Sequence, residues 1–141
     1  MEKVYISNSY KETEEIASDF AKTLTGGEVI AFIGSLGMGK TCFTKGLVNG
    51  LGFLGEVNSP TFAIMNEYIG GKFPVYHFDM YRIEGWEDLD SCGFFDALDS
   101  GGVLAVEWSE NVLGALPEDT IFISIERLDD NCRKITIKKG E

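Results

Sequence analysis

The chain has 141 residues, and its 23 acidic side chains against 12 basic ones give a net charge of −11. This length suits a single hydrophobic core, so we expect residues 1–141 to form one domain. The acidic balance repels the phosphates of nucleic acid, which argues against direct binding of RNA or DNA.

The sequence also argues against membrane and disulfide-rich classes of protein. No stretch approaches the roughly 18 consecutive apolar residues of a membrane span, and the first residues lack the apolar core of a signal peptide. The cysteines are Cys42, Cys92 and Cys132, an odd number without C-x-x-C spacing. Such cysteines favour reduced thiols over a disulfide framework or a zinc site. We therefore expect a soluble cytoplasmic protein with no membrane partner.

The first two predicted elements are a strand and a helix. A short apolar run at 4–6 predicts the strand, and residues 9–12 have the spacing of a capping box. Apolar side chains then recur every four residues, which indicates one buried helix face. The helix is predicted to end at Gly26-Gly27.

The apolar run 29–33 leads into residues 34–41, which match G-x-x-x-x-G-K-[ST] at every fixed position. When this motif joins a strand to a helix, successive backbone N–H groups face one point and bind phosphate. Lys40 is expected to reach the β- and γ-phosphates, and the Thr41 hydroxyl to bind Mg²⁺. The sequence predicts a nucleotide-binding loop followed by a helix over about 40–51.

Strands and helices alternate through the rest of the chain. The predicted elements are an antiparallel pair at 61–69 and 73–79 joined across Gly70-Gly71, a helix at 86–98 interrupted by Gly93, a buried parallel strand at 103–106, a brief helix at 112–116, and strands at 120–126 and 133–138. This order predicts an α/β fold: a three-layer, P-loop NTPase-like domain with a mixed, mostly parallel central sheet plus hairpin strands.

Two acids end predicted strands, where a phosphate loop needs a carboxylate for its metal. Asp79 is one, and Glu107, which follows a wholly apolar run, is the better candidate. His77 shares a strand face with Asp79, and we expect it to orient a neighbour by a hydrogen bond rather than to act in acid–base catalysis. The segment 58–62 would suit a γ-phosphate sensor, with an ordinary turn as the alternative.

Together these motifs resemble the TsaE (YjeE) family, small ATPases of bacterial tRNA threonylcarbamoyladenosine biosynthesis. The resemblance rests on four segments in family order: the loop 34–41, Ser-Pro-Thr-Phe at 59–62, His-x-Asp-x-Tyr-Arg at 77–82, and Glu107-Trp108. It covers nearly the whole chain.

The resemblance implies a subunit that binds and hydrolyses ATP to support turnover of a TsaD–TsaB assembly. That assembly transfers threonylcarbamoyl to the adenosine next to the anticodon, so tRNA would be reached only indirectly, through the partner. The implied ATP/ADP-binding residues are Thr13, Leu36, Gly37, Met38, Gly39, Lys40, Thr41, Cys42, Thr61 and Trp108. The implied Mg²⁺ ligands are Thr41, Asp79 and Glu107, and the implied catalytic residues are Lys40, Asp79 and Glu107.

The chain departs from the family at Ser35, where Asp is frequent, and at Met38, where Ala is frequent. Neither change touches the backbone cradle, so nucleotide binding is expected to survive and the hydrolysis rate stays open. A small-molecule kinase and a nucleotide sensor without useful hydrolysis remain alternatives. The kinase needs an acceptor pocket and a closing lid, for which 141 residues leave little room. A GTPase is disfavoured because no N-K-x-D segment occurs.

Overall fold

The computed structural model describes residues 2–33, 37–55, 57 and 65–139. In chain order its elements are β1 (Glu2–Ser7), α1 (Tyr10–Ala21), β2 (Val29–Ile33), α2 (Gly37–Gly50), β3 (Met65–Tyr68), β4 (Val75–Asp79), α3 (Trp86–Ser91), α4 (Phe94–Asp99), β5 (Val103–Glu107), a 3₁₀ helix (Ser109–Ala115), β6 (Ile121–Arg127) and β7 (Arg133–Lys139).

The strands form one seven-stranded sheet in the order β1-β7-β6-β2-β5-β4-β3. The four strands β6, β2, β5 and β4 are parallel, while β7, β1 and β3 pair antiparallel at the flanks. Every residue of β5 is buried, as expected of a parallel strand covered on both faces. The predicted mixed sheet with flanking hairpin strands is confirmed.

Helices cover both faces of the sheet. On one face α1 and α2 enclose a core in which the Phe32 and Phe43 rings meet edge to face, with centroids 5.9 Å apart. On the other face α3, α4 and the 3₁₀ helix enclose a second core, where Phe78 meets Phe94 at 5.5 Å. The predicted three layers are therefore present. Within the described ranges, no helix combines the length and apolarity that a bilayer crossing requires.

The start of α1 follows its capping box. The Ser9 hydroxyl oxygen accepts the Glu12 N–H at 3.0 Å, and the Glu12 carboxylate accepts the N–H of Asn8 at 3.2 Å. The predicted end at Gly26-Gly27 is wrong, because α1 ends at Ala21. The amides that follow bond to carbonyls three residues back, and this tightened turn leads the chain out of the helix.

Other predicted helix bounds also shift. The helix after the loop begins at Gly37, earlier than about residue 40. The helix at 86–98 is two helices, because Gly93 has a φ of 84°, which lies outside the right-handed helical region. The brief helix at 112–116 begins earlier, at Ser109, and is of 3₁₀ type.

The β3–β4 pair is antiparallel as predicted, but its connection is not a two-residue turn. Gly70 has a φ of 126°, whereas Gly71 is not among the described glycines of positive φ. A Cβ on Gly71 would lie 2.6 Å from the carbonyl oxygen of Leu51, so Gly71 permits a close backbone approach instead. Residues 61–64 of the predicted strand lie outside the described residues.

Glycines in α2 let it pack closely on α1. A Cβ on Gly46 would lie 2.3 Å from the carbonyl oxygen of Glu14, and one on Gly50 would lie 2.8 Å from the Ser18 Cα. The facing Ala17 of α1 is fully buried. Since real Cβ atoms do not come this close, the contact requires glycine at both positions.

We expect Gly46→Ala to lower the free energy of unfolding by about 1–3 kcal/mol, although alanine is the better helix former. The added methyl group must push α1 and α2 apart. Urea denaturation measures the effect, with Gly114→Ala as the matched control because a Cβ there meets nothing within 4 Å. Equal stability of the two variants would contradict the close helix contact.

Candidate functional site

The carboxyl ends of β2, β5 and β4 meet at one edge of the sheet. Ala31 of β2 pairs with Val106 of β5 in parallel register. One strand further, Asp79 of β4 pairs with Glu107 of β5. The structure thus brings the two predicted carboxylates to neighbouring positions, beside the point where β2 runs into the phosphate loop.

The described part of the phosphate loop belongs to the first turn of α2. Residues 34–36, including Leu36, lie outside the described residues, and Gly37 and Met38 begin the helix. A Cβ on Gly39 would lie 2.9 Å from Cγ2 of Ile125 in β6. Gly39 is therefore required for packing against the sheet as well as for the motif.

Lys40 lies under an aromatic side chain. It is only 3% exposed, and its Nζ lies 5.8 Å from the ring centroid of Trp108, within the range of a cation–π contact. The Trp108 ring also contacts Tyr81, with centroids 4.8 Å apart. These contacts bring the predicted lysine and the predicted tryptophan together.

Trp108 has an unusual backbone conformation. Its φ of 57° is the only positive value among the non-glycine residues that the structure describes. The left-handed region costs a residue with a Cβ roughly 1–2 kcal/mol, and such strained residues gather at functional sites. The conformation turns the chain sharply after β5, between Glu107 and the 3₁₀ helix.

A buried histidine fixes one oxygen of Glu107. His77 is fully buried, and its Nε2 lies 2.6 Å from Oε2 of Glu107. Because a carboxylate can only accept, Nε2 carries the proton and donates it. The other ring nitrogen, Nδ1, has no hydrogen-bond partner within the described residues. The expected hydrogen bond from His77 to a neighbour is present, and the choice between orientation and acid–base catalysis stays a prediction.

Further hydrogen bonds tie the strand ends together. Ser109 donates from its hydroxyl to the carbonyl of Phe32 in β2 at 2.9 Å. Asn111 donates from its side chain to the carbonyl of Met80 at 2.9 Å, while the N–H of Met80 donates to the Glu107 carbonyl at 3.0 Å. The ends of β2, β4 and β5 are thereby held in one network, which limits their relative motion.

Asp79 keeps part of its carboxylate accessible. Its Oδ1 accepts the N–H of Tyr81 at 3.0 Å in a turn that follows β4. The Thr41 hydroxyl and the carboxylates of Asp79 and Glu107 are hard oxygen donors, which fit Mg²⁺ better than a soft metal. The described residues hold no group of three or more His, Cys, Asp or Glu suited to bind a metal alone.

A cavity of about 160 Å³ opens on the other side of Gly39. Thr13 reaches it from α1, and its hydroxyl lies 2.7 Å from the Ser7 hydroxyl and 3.3 Å from the carbonyl of Ser9. The other lining residues are Asn8, Ser9, Tyr10, Asp130, Asn131 and Arg133. The structure thus places Thr13 at a cavity that Gly39 also lines, and its contact with a nucleotide stays a prediction.

The sequence did not predict that the β6–β7 turn and Arg133 line the cavity beside Gly39. Residues 129–131 were recognisable as a turn, and Arg133 is one of three arginines in the chain. What brings this turn to the site is the parallel pairing of β6 with β2, from Ile30↔Ile121 to Ile33↔Ser124. That pairing has no local signature in the sequence.

The remaining predicted residues are Cys42 and Thr61. Burial and the nearby Glu14 carboxylate raise the pKa of the Cys42 thiol, so the thiol stays protonated at neutral pH. A protonated thiol is a poor nucleophile and metal ligand. Thr61 and the rest of the segment 58–62 lie outside the described residues, so its role as a sensor stays a prediction.

Comparison with known proteins places the chain in a family. A family model described as "Threonylcarbamoyl adenosine biosynthesis protein TsaE" matches residues 7–135. The chain belongs to the TsaE family. The match spans the phosphate loop, both carboxylates and the β6–β7 turn, so the resemblance of the four motifs is confirmed over nearly the whole chain.

Individual TsaE proteins from other organisms are similar to this chain along most of its length. The tRNA threonylcarbamoyladenosine biosynthesis protein TsaE of Treponema pallidum is 39% identical over 94% of this chain and 97% of its own. Its namesake from Bacillus subtilis is 41% identical over 89% of this chain and 78% of its own. A crystal structure of Bacillus subtilis YdiB has a TM-score of 0.81 at 34% identity and covers 100% of this chain and 87% of that one.

Proposed function

We propose that this chain binds and hydrolyses ATP as a subunit of tRNA threonylcarbamoyladenosine biosynthesis, and so supports turnover of a TsaD–TsaB assembly. The observation that carries the proposal is the meeting of buried Lys40 and Glu107 with half-buried Asp79 at one sheet edge. The names of the curated TsaE relatives supply the pathway.

Each part of the site receives one part of the nucleotide. The N–H groups of the loop and the Lys40 ammonium bind the phosphates. The cavity beside Gly39 receives the base, where Thr13 and Arg133 offer a hydroxyl and a guanidinium to a ring with donors and acceptors at its edge. The two sites adjoin at Gly39, so one bound nucleotide can reach both.

Mg²⁺ would be held by Thr41, Asp79 and Glu107, and when bound it neutralises the charge that develops on the phosphates. Glu107 is fixed by His77 at one oxygen, which leaves the other oxygen able to accept a hydrogen bond from the attacking water. A preset carboxylate does not have to reorganise during the reaction, and that lowers the barrier.

The transfer chemistry itself is assigned to the partner assembly. A chain of net charge −11 is poorly suited to hold tRNA, so contact with tRNA is expected only through the partner. The ATPase supplies the energy for repeated turnover rather than the transferred group.

The test is ATP hydrolysis by the purified chain alone, with the TsaD–TsaB assembly, and with the assembly plus tRNA. We expect slow turnover by the chain alone that rises when the assembly is added, because the partner completes the site. Lys40→Ala serves as the blank. A hydrolysis rate that does not change when the assembly is added would point to a metabolite kinase. Tight ATP binding without hydrolysis in any mixture would point to a nucleotide sensor.

A further inference from the structure

The net charge of the protein is confined to one part of the chain. Residues 83–126 contain eleven acidic residues and no Lys or Arg, whereas all other residues together carry twelve of each sign. The full charge of −11 therefore belongs to a segment that makes up less than a third of the sequence. Such asymmetry concentrates the electrostatic field on one side of the molecule.

This segment supplies the outer layer of the second core. Its helices α3 and α4, the 3₁₀ helix and the residues just before α3 present acids to solvent. The exposed acids are Glu84, Glu87, Asp90, Asp96, Asp99 and Glu110. In the part of the chain that the structure describes, no ion pair joins any of these carboxylates to a base. The field of this layer is therefore not neutralised within the protein.

An apolar patch lies within the acidic layer. Trp86 at the start of α3 is 64% exposed, and its ring stacks flat on Phe95 of α4, with centroids 5.4 Å apart and planes 7° from parallel. Leu113 of the 3₁₀ helix is 56% exposed. A cleft of about 110 Å³ between Trp86 and the 3₁₀ helix joins the two elements. We call Trp86, Phe95 and the exposed acids Glu84, Glu87, Asp90, Asp96, Asp99 and Glu110 the acidic aromatic surface.

We propose that the acidic aromatic surface docks a protein partner whose contact face carries Lys and Arg around an apolar pocket that receives Trp86. An exposed tryptophan backed by a second ring is a common centre of protein interfaces, because it buries a large rigid area at little entropic cost. The unpaired acids around it match a basic rim, which speeds encounter and sets orientation.

Other occupants fit the surface less well. Nucleic acid and anionic lipid headgroups are repelled by exposed acids that no Lys or Arg of the segment 83–126 offsets. The cleft of about 110 Å³ is well below the roughly 300 Å³ of small-molecule pockets. A protein with a basic face is what the charge and the exposed ring select.

The inference rests on the proposed function for the identity of this partner, which is the TsaD–TsaB assembly. A protein that holds tRNA needs a basic surface for the phosphates, so an assembly that binds tRNA as proposed would have the charge that the acidic aromatic surface requires. Substitutions in the acidic aromatic surface leave the residues of α2 untouched, because α3 and α4 lie on the opposite face of the sheet from α1 and α2.

The experiment is a calorimetric titration of the assembly with the full chain at low salt. Trp86→Ala, and separately the triple change Glu84→Gln, Glu87→Gln and Asp90→Asn, are each expected to weaken binding about tenfold or more. Added salt should weaken binding of the assembly by the unchanged protein and by Trp86→Ala. It should affect binding by the triple variant less, because that variant has lost the charges that salt screens.

Two controls separate this surface from general effects. Leu54→Ala removes another apolar side chain, 93% exposed, and Glu2→Gln with Glu15→Gln and Glu67→Gln removes three exposed acids from the balanced part of the chain. Both are expected to bind within about twofold of the unchanged protein. Thermal melting checks that every variant is folded.

Each outcome decides the inference separately from the ATPase. Unchanged affinity in the two test variants, or no binding by the unchanged chain, overturns the docking surface while ATP hydrolysis is judged in its own assay. Tight binding of tRNA alone that Trp86→Ala abolishes also overturns it, in favour of an RNA site. If the two test variants bind the assembly more weakly than the unchanged chain does, and the unchanged chain hydrolyses no ATP in any mixture, the docking surface is supported and the proposed ATPase is contradicted.

Discussion

Lys40→Ala is expected to reduce ATP turnover by about a hundredfold or more, the cost of removing one preorganised donor from a reacting oxyanion. The side chain is only 3% exposed and lies against Trp108, so its charge acts where water screens it little. Steady-state hydrolysis and an equilibrium titration with ATP would show whether binding, turnover or both are lost. Lys40→Arg is not expected to restore turnover, because the larger guanidinium does not fit this buried position.

Lys45 provides the matched control on the same helix. Its side chain is 55% exposed and pairs with Glu14 at 3.3 Å, so Lys45→Ala removes the same charge from α2 without touching the site. We expect its turnover to stay within about twofold, since exposed ion pairs contribute little. Hydrolysis by Lys40→Ala at the rate of Lys45→Ala would show that the site has been assigned to the wrong lysine.

The second large effect is expected at Glu107. Glu107→Gln keeps the shape of the side chain and still accepts a hydrogen bond from His77, but it removes the negative charge. We expect kcat to fall about a hundredfold while ATP affinity changes far less, because phosphate binding relies on the loop and Lys40. Exposed Glu110 is the control, and Glu110→Gln should behave as the unchanged protein.

Substitution of His77 tests whether orientation of Glu107 matters as well as its charge. His77→Phe leaves the carboxylate in place without its 2.6 Å donor, and we expect kcat to fall about tenfold with KM unchanged. A side chain that only filled space would be replaced by Phe at no cost to kcat.

For Glu107→Gln, a full rate of hydrolysis would contradict the role of the Glu107 carboxylate and leave Asp79 as the candidate.

Much of the fold could be predicted because its signals are local. The apolar run before Glu107 is long enough only for a strand and has no polar face, which predicted a buried parallel strand, and β5 is that strand. The phosphate motif likewise fixes its own strand, turn and helix. Lys40, Asp79 and Glu107 could therefore be assigned to one edge before any coordinates.

The rest depends on contacts between distant segments. His77 and Glu107 are 30 residues apart and meet only because β4 and β5 are neighbours in register. The β6–β7 turn reaches the cavity beside Gly39 only because β6 lies beside β2. The positive φ of Trp108 is also unexpected, since nothing in an aromatic residue favours that region. Strand order and strained backbone arise from tertiary structure, which overrides local preference.

The edge strand β1 pairs antiparallel with β7, from Glu2↔Lys138 to Ser7↔Arg133, so the paired residues are far apart in the sequence. Contacts of such high sequence separation close large loops and form late and slowly during folding. On the ribosome, the ladder of β1 therefore cannot form until β7 has been synthesised. Until then its backbone groups are open to pairing with other chains, which makes synthesis the stage at which this protein is most exposed to aggregation.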